Sequence, residues 1–235
     1  MKLDKESLAY ITNVVNTAQL VGIDEIIIEP GRVRAVDDAK TVVLFQDENV
    51  PEMTFNSIGL NRIGLFRSRL DLVRTQEGFE VDVTSDDNNE FARGLVMKAK
   101  GVKVDYRCAN PRSIQAPKGI RDETICDINV TPEAVYLLQK GQSAMGATNV
   151  SVISNDKGVT FELTDQNGDK FSHTFTDEVQ TTASDADTTF VNHYIVKTLL
   201  ALFKENPEGT FSIGRKGILN ITVNGLNIFL LPQVS

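Results

Sequence analysis

The sequence predicts an α+β protein of two pseudo-repeated domains, each with two helices packed on β-sheets. Three observations point there. Both halves of the 235-residue chain read helix, three strands, helix, three strands, and the corresponding helices recur at nearly the same offset. Short strand-like runs with period-two alternation fill the space between the helices. A stretch without either period, residues 109–124, carries Pro111, Pro117 and Gly119 and reads as a connector between a first domain, 1–108, and a second, 125–235.

In chain order, Asp4–Ala18 is amphipathic, with Leu8, Ile11, Val14 or Val15 and Ala18 on one face and Asp4 as N-cap. Strands follow at Glu25–Glu29, Arg32–Asp37 and Thr41–Gln46, separated by Pro30-Gly31 and Asp38-Ala-Lys40. A second helix is expected over Ser57–Arg67, using Ile58, Leu60, Ile63 and Phe66. Phe79–Thr84, Phe91–Ala99 and Val102–Cys108 complete the first half as strands.

After the connector an extended segment, Ile125–Val130, leads to a helix opened by Thr131-Pro132, with Thr131 as cap and proline in the first turn. Val135, Leu138 and Met145 are expected inward. Strands are expected at Asn149–Ser154, Val159–Thr164 and Phe171–Thr176, then a long helix over Thr188–Lys204 capped by Asp187 or Thr188. Phe211–Arg215, Ile218–Val223 and Leu226–Leu231 close the chain, the last two joined by the hairpin pair Asn224-Gly225.

Composition narrows the class. Hydrophobic residues are 41% and charged residues 24%, ordinary for a globular protein. No run of about 18 apolar residues offers a membrane span. The opening Met-Lys-Leu-Asp-Lys-Glu lacks an apolar signal region, so an intracellular protein is expected, with Cys108 and Cys126 as free thiols. The net charge of −8 argues against a binder basic over its whole surface, but not against one that confines positive charge to one face. The helix faces opposite the core have that bias. They offer Lys5, Arg62, Arg67, Arg69, Lys140 and Lys197, with Lys204, Asn, Gln, Ser and His193, while the acids gather in turns such as Asp47-Glu48, 86–90 and 185–187. In an acidic protein this points to one electropositive surface for a polyanion.

Catalytic and metal motifs are missing. His173 and His193 have no Cys or His at ligand spacing. Residues 212–217 lack the spacing of a phosphate-binding loop, and no nucleophile elbow occurs. Asp165-Gln-Asn-Gly-Asp169 is a hairpin turn without the later glutamate of a calcium loop. No enzyme, cofactor or metal is expected. A single-strand binder would show exposed aromatics among its basic residues, and only 7% of residues are aromatic. A non-catalytic virion or interaction protein of duplicated β-rich domains is the alternative.

Four stretches carry a resemblance: Met1-Lys-Leu-Asp-Lys5, Ile58-Gly-Leu-Asn-Arg-Ile-Gly-Leu-Phe66, Ala109-Asn-Pro-Arg-Ser-Ile-Gln-Ala-Pro-Lys118 and Leu226-Asn-Ile-Phe-Leu-Leu-Pro-Gln233. In this order they resemble DNA polymerase sliding clamps: the first three are similar to those of T-even-type bacteriophages in particular, and the last to the C-terminal strand of cellular and archaeal processivity clamps. The resemblance implies the PCNA-like DNA clamp fold, assembled into a head-to-tail homotrimer ring. Such a ring encircles double-stranded DNA without reading sequence, tethers the replicative polymerase as a processivity factor, and is loaded by a clamp loader ATPase. It also implies residence in the cytoplasm of an infected bacterial host cell. On this family's pattern Lys5, Arg62, Arg67, Arg69, Lys140 and Lys197 face DNA. Val102, Val104 and Tyr106 meet Phe171, His173 and Phe175 between subunits. Ile114, Ala116, Pro117, Phe229, Leu231 and Pro232 form the pocket for partner peptides.

Overall fold

The computed structural model describes residues 1–53, 55–155, 158–181 and 190–233. The chain divides into two compact units within the connector, between Gly119 and Ile120; the short piece Ala39–Val42 groups with the second.

The first unit holds α1 (Lys5–Leu20), β1 (Glu25–Glu29), β2 (Arg32–Val36), β3 (Val42–Gln46), β4 (Ile58–Asn61), α2 (Ile63–Val73), β5 (Glu80–Ser85), β6 (Ala92–Ala99) and β7 (Val102–Arg107). Its sheet runs β3-β2-β1-β4-β6-β5, with β7 also paired to β6. These pairings are antiparallel except for the short parallel contact of β4 with β6 at Ile58–Ala92. Asp4 caps α1 as expected, its carboxylate accepting from Ser7 N at 2.7 Å and Ser7 Oγ at 2.8 Å. The Ser7 N–H in particular holds the Asp4 carboxyl below its ordinary pKa. Ile11, Val14, Val15 and Ala18 are buried beneath α1.

The second helix does not begin where its periodicity suggests. Residues 58–61 are strand β4, paired with β1, and α2 starts at Ile63 after Arg62 turns the corner at φ 53°. Ile58 and Leu60 are two residues apart, which is strand spacing. Ile63, Phe66, Leu70 and Val73 follow the helical period and are all buried. The period changes at Arg62, and Gly59 fits a strand that another backbone approaches closely. An added Cβ there would lie 2.7 Å from Ala109 O and 2.9 Å from Ile114 Cδ1.

The second unit holds β8 (Thr124–Asn129), α3 (Pro132–Met145), β9 (Asn149–Asn155), β10 (Gly158–Thr164), β11 (Lys170–Phe175), β12 (Val179–Thr181), β13 (Phe190–Ile195), α4 (Val196–Glu205), β14 (Thr210–Gly214), β15 (Leu219–Val223) and β16 (Leu226–Leu230). One sheet path runs β12-β8-β14-β15-β16, the other β11-β10-β9-β13. Thr131 caps α3 and Gly146 ends it in the left-handed region at φ 60°. Val135 and Leu138 are buried as expected, whereas Met145 is only half-buried. The fourth helix is shorter than expected. Residues 190–195 form β13 along β9, and α4 starts at Val196; the expected cap at Asp187 or Thr188 lies outside the described residues. Each half thus uses a strand that passes directly into its second helix. Phe161, Phe175, Phe203 and Phe211 form the aromatic centre of this unit, with ring centroids 5.3–6.3 Å apart.

The connector is tied down in two places. In the first unit, Asn110 caps a 3₁₀ turn over Pro111–Ser113, Ala109 N donates to Gly59 O at 2.8 Å, and Arg34 Nη1 donates to Pro117 O at 3.3 Å. In the second, the Asp122 carboxylate accepts from Lys216 N at 3.0 Å and Ile218 N at 3.2 Å, and Arg215 N donates to Glu123 O at 2.8 Å. Gly59→Ala should cost about 1–3 kcal/mol by forcing β4 and the connector apart. Denaturant unfolding measures this destabilisation, and limited proteolysis should cut faster near residues 109–118. Unchanged values in both would show that the close approach relaxes at no cost.

Candidate nucleic-acid interface, sheet edges and docking positions

Of the six basic helix residues, Lys5, Arg62, Arg67, Lys140 and Lys197 are exposed and Arg69 is half-buried. Arg67 leans toward α1, where Nη1 donates to Gln19 Oε1 at 3.2 Å. Arg62 and Arg67 line one shallow groove with Gln19, Asp24 and Asp71. Lys5 borders a separate cleft of about 600 Å³ between α1, the end of α2 and β5, whose wall includes Leu8, Leu70 and Phe79. Arg74 borders it too, ion-paired with Asp71 at 3.0 Å; it stands seven residues after Arg67, on the same side of α2, and falls beyond the helix end expected at Arg67. In the second unit Lys140 Nζ sits 4.6 Å from the Tyr136 ring centroid, an exposed cation–π pair, and Lys197 stands on α4. Lys204, seven residues after Lys197, is exposed on that helix as well.

Arg69 points elsewhere. Its Nη1 donates to Asp105 O on β7 at 3.4 Å and its guanidinium lies 5.9 Å from the Tyr106 ring centroid. It occupies the flank of α2 opposite Arg67, over β7. His193, expected on a helix face, stands on β13 with Nδ1 3.0 Å from Ser151 Oγ.

Among the described residues β7 pairs only with β6, and β11 only with β10, so both are sheet edges. Their apolar side chains are largely used within their own units. Tyr106 is 1% exposed, its hydroxyl donates to Asn61 O, and its ring meets Phe66 edge-on at 5.2 Å. Phe175 is 1% exposed within the aromatic centre, and the Phe171 ring lies against Gly141 of α3. His173 packs edge-on against Phe175 with centroids 4.8 Å apart. Val102 is exposed and Val104 half-buried. What these edges leave open is mainly backbone, flanked by Lys103, Asp105 and Arg107 on β7 and by Ser172 and Thr174 on β11.

Among the docking positions, Ile114 is buried against Gly59 in the first unit. Ala116 and Pro117 are half-exposed in that unit; Phe229, Leu231 and Pro232 are half-exposed in the second. Asp165 is engaged as a turn, its Oδ1 accepting from Asn167 N and Asp169 N at 2.8 Å each. Among the described residues no cluster of His, Cys, Asp or Glu is arranged to hold a metal ion, and no helix is long and apolar enough to cross a membrane.

Cys108 and Cys126 are free and buried. Burial pushes the Cys108 thiol up to about 12 and the Cys126 thiol up to about 11, the Asp127 carboxylate adding to the latter. Thiolate is the reactive form, so both should label slowly at pH 8 in the native protein and quickly after unfolding. The stability that these thiols contribute is fully present below the ordinary thiol pKa of 9.0 and falls as pH rises toward 11–12. Rapid native labelling of either thiol would contradict this.

No family model and no curated protein matches the sequence. Solved structures do match. Proliferating cellular nuclear antigen (PCNA) from Entamoeba histolytica aligns over 99% of this chain and 98% of its own, with TM-score 0.64 and 12% identity. A. fulgidus PCNA, in a structure with the C-terminal region of FEN-1 bound, aligns over 100% and 99%, with TM-score 0.62 and 16% identity. The PCNA2–PCNA3 complex from Sulfolobus tokodaii aligns over 99% of each chain, with TM-score 0.61 and 12% identity. At these identities the likeness is one of architecture: along its whole length this chain has the PCNA-type clamp fold.

Proposed function

We propose that this protein is a DNA polymerase sliding clamp. On this reading three copies join head to tail into a ring around duplex DNA. The observation that carries the proposal is the full-length match to PCNA-type clamps, one bound to a partner segment and one in a clamp–clamp complex. The resemblance of three sequence stretches, the opening, the second helix and the connector, to T-even-type phage clamps supports a viral origin, with action in the infected host's cytoplasm. The clamp holds the replicative polymerase on its template, and an ATP-driven loader opens and closes the ring. No bond is made or broken, which agrees with a chain that offers no catalytic motif.

A ring that must retain DNA and still slide needs phosphate attraction that is diffuse and salt-sensitive. Lys5, Arg62, Arg67, Lys140 and Lys197 supply it on this reading, while acidic turns repel DNA elsewhere. Ring closure uses the backbone edges of β7 and β11, a heterologous contact closed by rotation. Partner peptides dock on Ala116, Pro117, Phe229, Leu231 and Pro232, with Ile114 as the buried pin beneath the connector.

The primary experiment is polymerase stimulation on primed circular DNA. Stimulation that depends on loader and ATP is expected, and its absence under every loader condition would overturn the clamp reading in favour of a structural interaction protein. Replacing Lys5, Arg62, Arg67, Lys140 and Lys197 together by Ala should shorten processive runs at moderate salt. It should also flatten the dependence of DNA retention on log[salt], by roughly 0.9 for each phosphate that is no longer neutralised. Unchanged processivity would remove the DNA-facing assignment. A Pro117→Asp, Phe229→Ala variant should lose the cognate polymerase's C-terminal peptide, and equal binding would place docking elsewhere.

A further inference from the structure

We infer that the cleft between α1, the end of α2 and β5 is a binding site for a small amphipathic carboxylate, an anionic head on an extended aliphatic body. The inference is independent of the clamp reading, and every residue that it uses lies in the first unit.

The cleft forms where two helices part. Gln19, near the end of α1, lies against Gly64 and Arg67 in the first turns of α2, whereas the start of α1 and the end of α2 border a hollow. One wall is the side of α1 that carries Lys5, Leu8, Thr12 and Asn16, residues three and four apart. At 1.5 Å per residue this wall is about 16 Å long, so the hollow is a trough. Its floor is apolar, with Leu70 and Val81 buried and Leu8 and Phe79 half-buried. A volume of about 600 Å³ is that of an ordinary small-ligand site. The neighbouring groove along the same two helices is different. It is bordered by Asp24, Arg62, Arg67 and Asp71, which suit water and phosphate, and lacks a comparable apolar floor.

Charge selects among apolar ligands. Lys2, Lys5 and Arg74 border the trough, with Asp4 and Glu80 as its carboxylates. Both carboxylates are engaged: Asp4 accepts from Ser7 N and Oγ as the cap of α1, and Glu80 pairs with Lys2 at 2.5 Å. Arg74 pairs with Asp71. Lys5 is exposed and, among the described residues, has no ion-pair partner. It begins the α1 wall, so an aliphatic chain laid on Leu8, Leu70, Phe79 and Val81 can end with its head at this ammonium. An anionic head completes the pair, whereas a cationic head would meet Lys5 and Arg74 with no free carboxylate beside it. Duplex DNA can reach the rim lysines but leaves the apolar floor uncovered. The occupant whose chemistry matches both parts is an aliphatic carboxylate.

Decanoate below its micellar concentration is the probe, titrated into the full chain by calorimetry and followed by amide chemical shifts. One site is expected, with shifts clustered at residues 5–16 and 79–81. From hexanoate to decanoate each added methylene should tighten binding by up to about fourfold, because the chain is buried on the floor. Lys5→Gln should weaken decanoate by up to about fivefold and leave decanol unchanged. Thr12→Phe fills the trough from its α1 wall and should abolish binding at an unchanged melting temperature. Lys5 is exposed, so its variant gives an answer whether or not Thr12→Phe folds. No binding of decanoate at millimolar concentration, or shifts centred elsewhere, would overturn the site. Decanol that binds as tightly as decanoate, or a Lys5→Gln variant with unchanged decanoate affinity, would overturn the assignment of an anion. Undiminished binding by a folded Thr12→Phe variant would place the ligand outside the trough and overturn the site as well. None of these readouts uses DNA or polymerase, so failure here is distinct from failure of the clamp reading.

Discussion

The corner at Arg62 governs the first unit. There a buried strand ends and a helix begins without an intervening loop, which requires one residue in the left-handed region at φ 53°. The corner leaves Asn61 O without a helical partner, and the Tyr106 hydroxyl donates to it from β7. The same ring packs edge-on against Phe66 in the first turn of α2. One tyrosine therefore fixes the angle of α2 against the outermost strand of its sheet. A phenol buried in this way is held neutral, its pKa well above the ordinary tyrosine range. The flank of α2 that carries Arg69, Leu65 and Leu72 is consequently held over β7, and the surface that α2 presents follows from that single junction.

The second unit solves the same problem with different side chains. β13 runs directly into α4, and Tyr194 at the end of that strand is fully buried, its hydroxyl donating to Gly217 O at the β14–β15 turn. That turn also receives the Asp122 carboxylate at Lys216 N and Ile218 N. The connector therefore reaches the second unit at the turn that holds Tyr194 in place. In the first unit it arrives at Gly59, three residues before the Arg62 corner. In each unit by itself, the connector residues are seated on an element tied to that unit's strand-to-helix junction.

Much of this fold was legible in the sequence. α1 and α3 were readable from caps and heptad-like spacing, because Asp4 and Thr131 act locally. The strand-to-helix junctions were not. Ile58 and Leu60 match a helix extended backward from Ile63 when judged by hydrophobicity alone, and what makes them strand is pairing with β1, with Ile28 and Ile26 respectively. The same long-range pairing with β9 converted 190–195 from helix to strand and moved His193 with it. The basic helix residues were legible because exposed charge is visible in composition. The lean of Arg69 toward β7 was not, since two flanks of one helix differ only in their neighbours. The edges were misjudged in one respect. Alternation in β7 and β11 suggests apolar residues awaiting a partner, whereas Tyr106 and Phe175 serve their own cores. Alternation reveals that a strand has a buried face, not whose core buries it.

Little sequence identity, 12–16% in the structures compared, accompanies a match of architecture over the whole chain. The proposed clamp role accounts for this, since enclosing a ligand needs curvature, closure and a weak positive lining, and none of these demands a fixed constellation of side chains. Sheet edges close through backbone, which every residue but proline supplies. Phosphate attraction accepts lysine or arginine at many helix positions, because sliding is helped by interactions that are individually weak. Geometry leaves least room at Gly59 beneath Ala109 and Gly141 beneath Phe171, where an added Cβ would lie 2.7 Å from Ala109 O and 2.4 Å from the Phe171 ring.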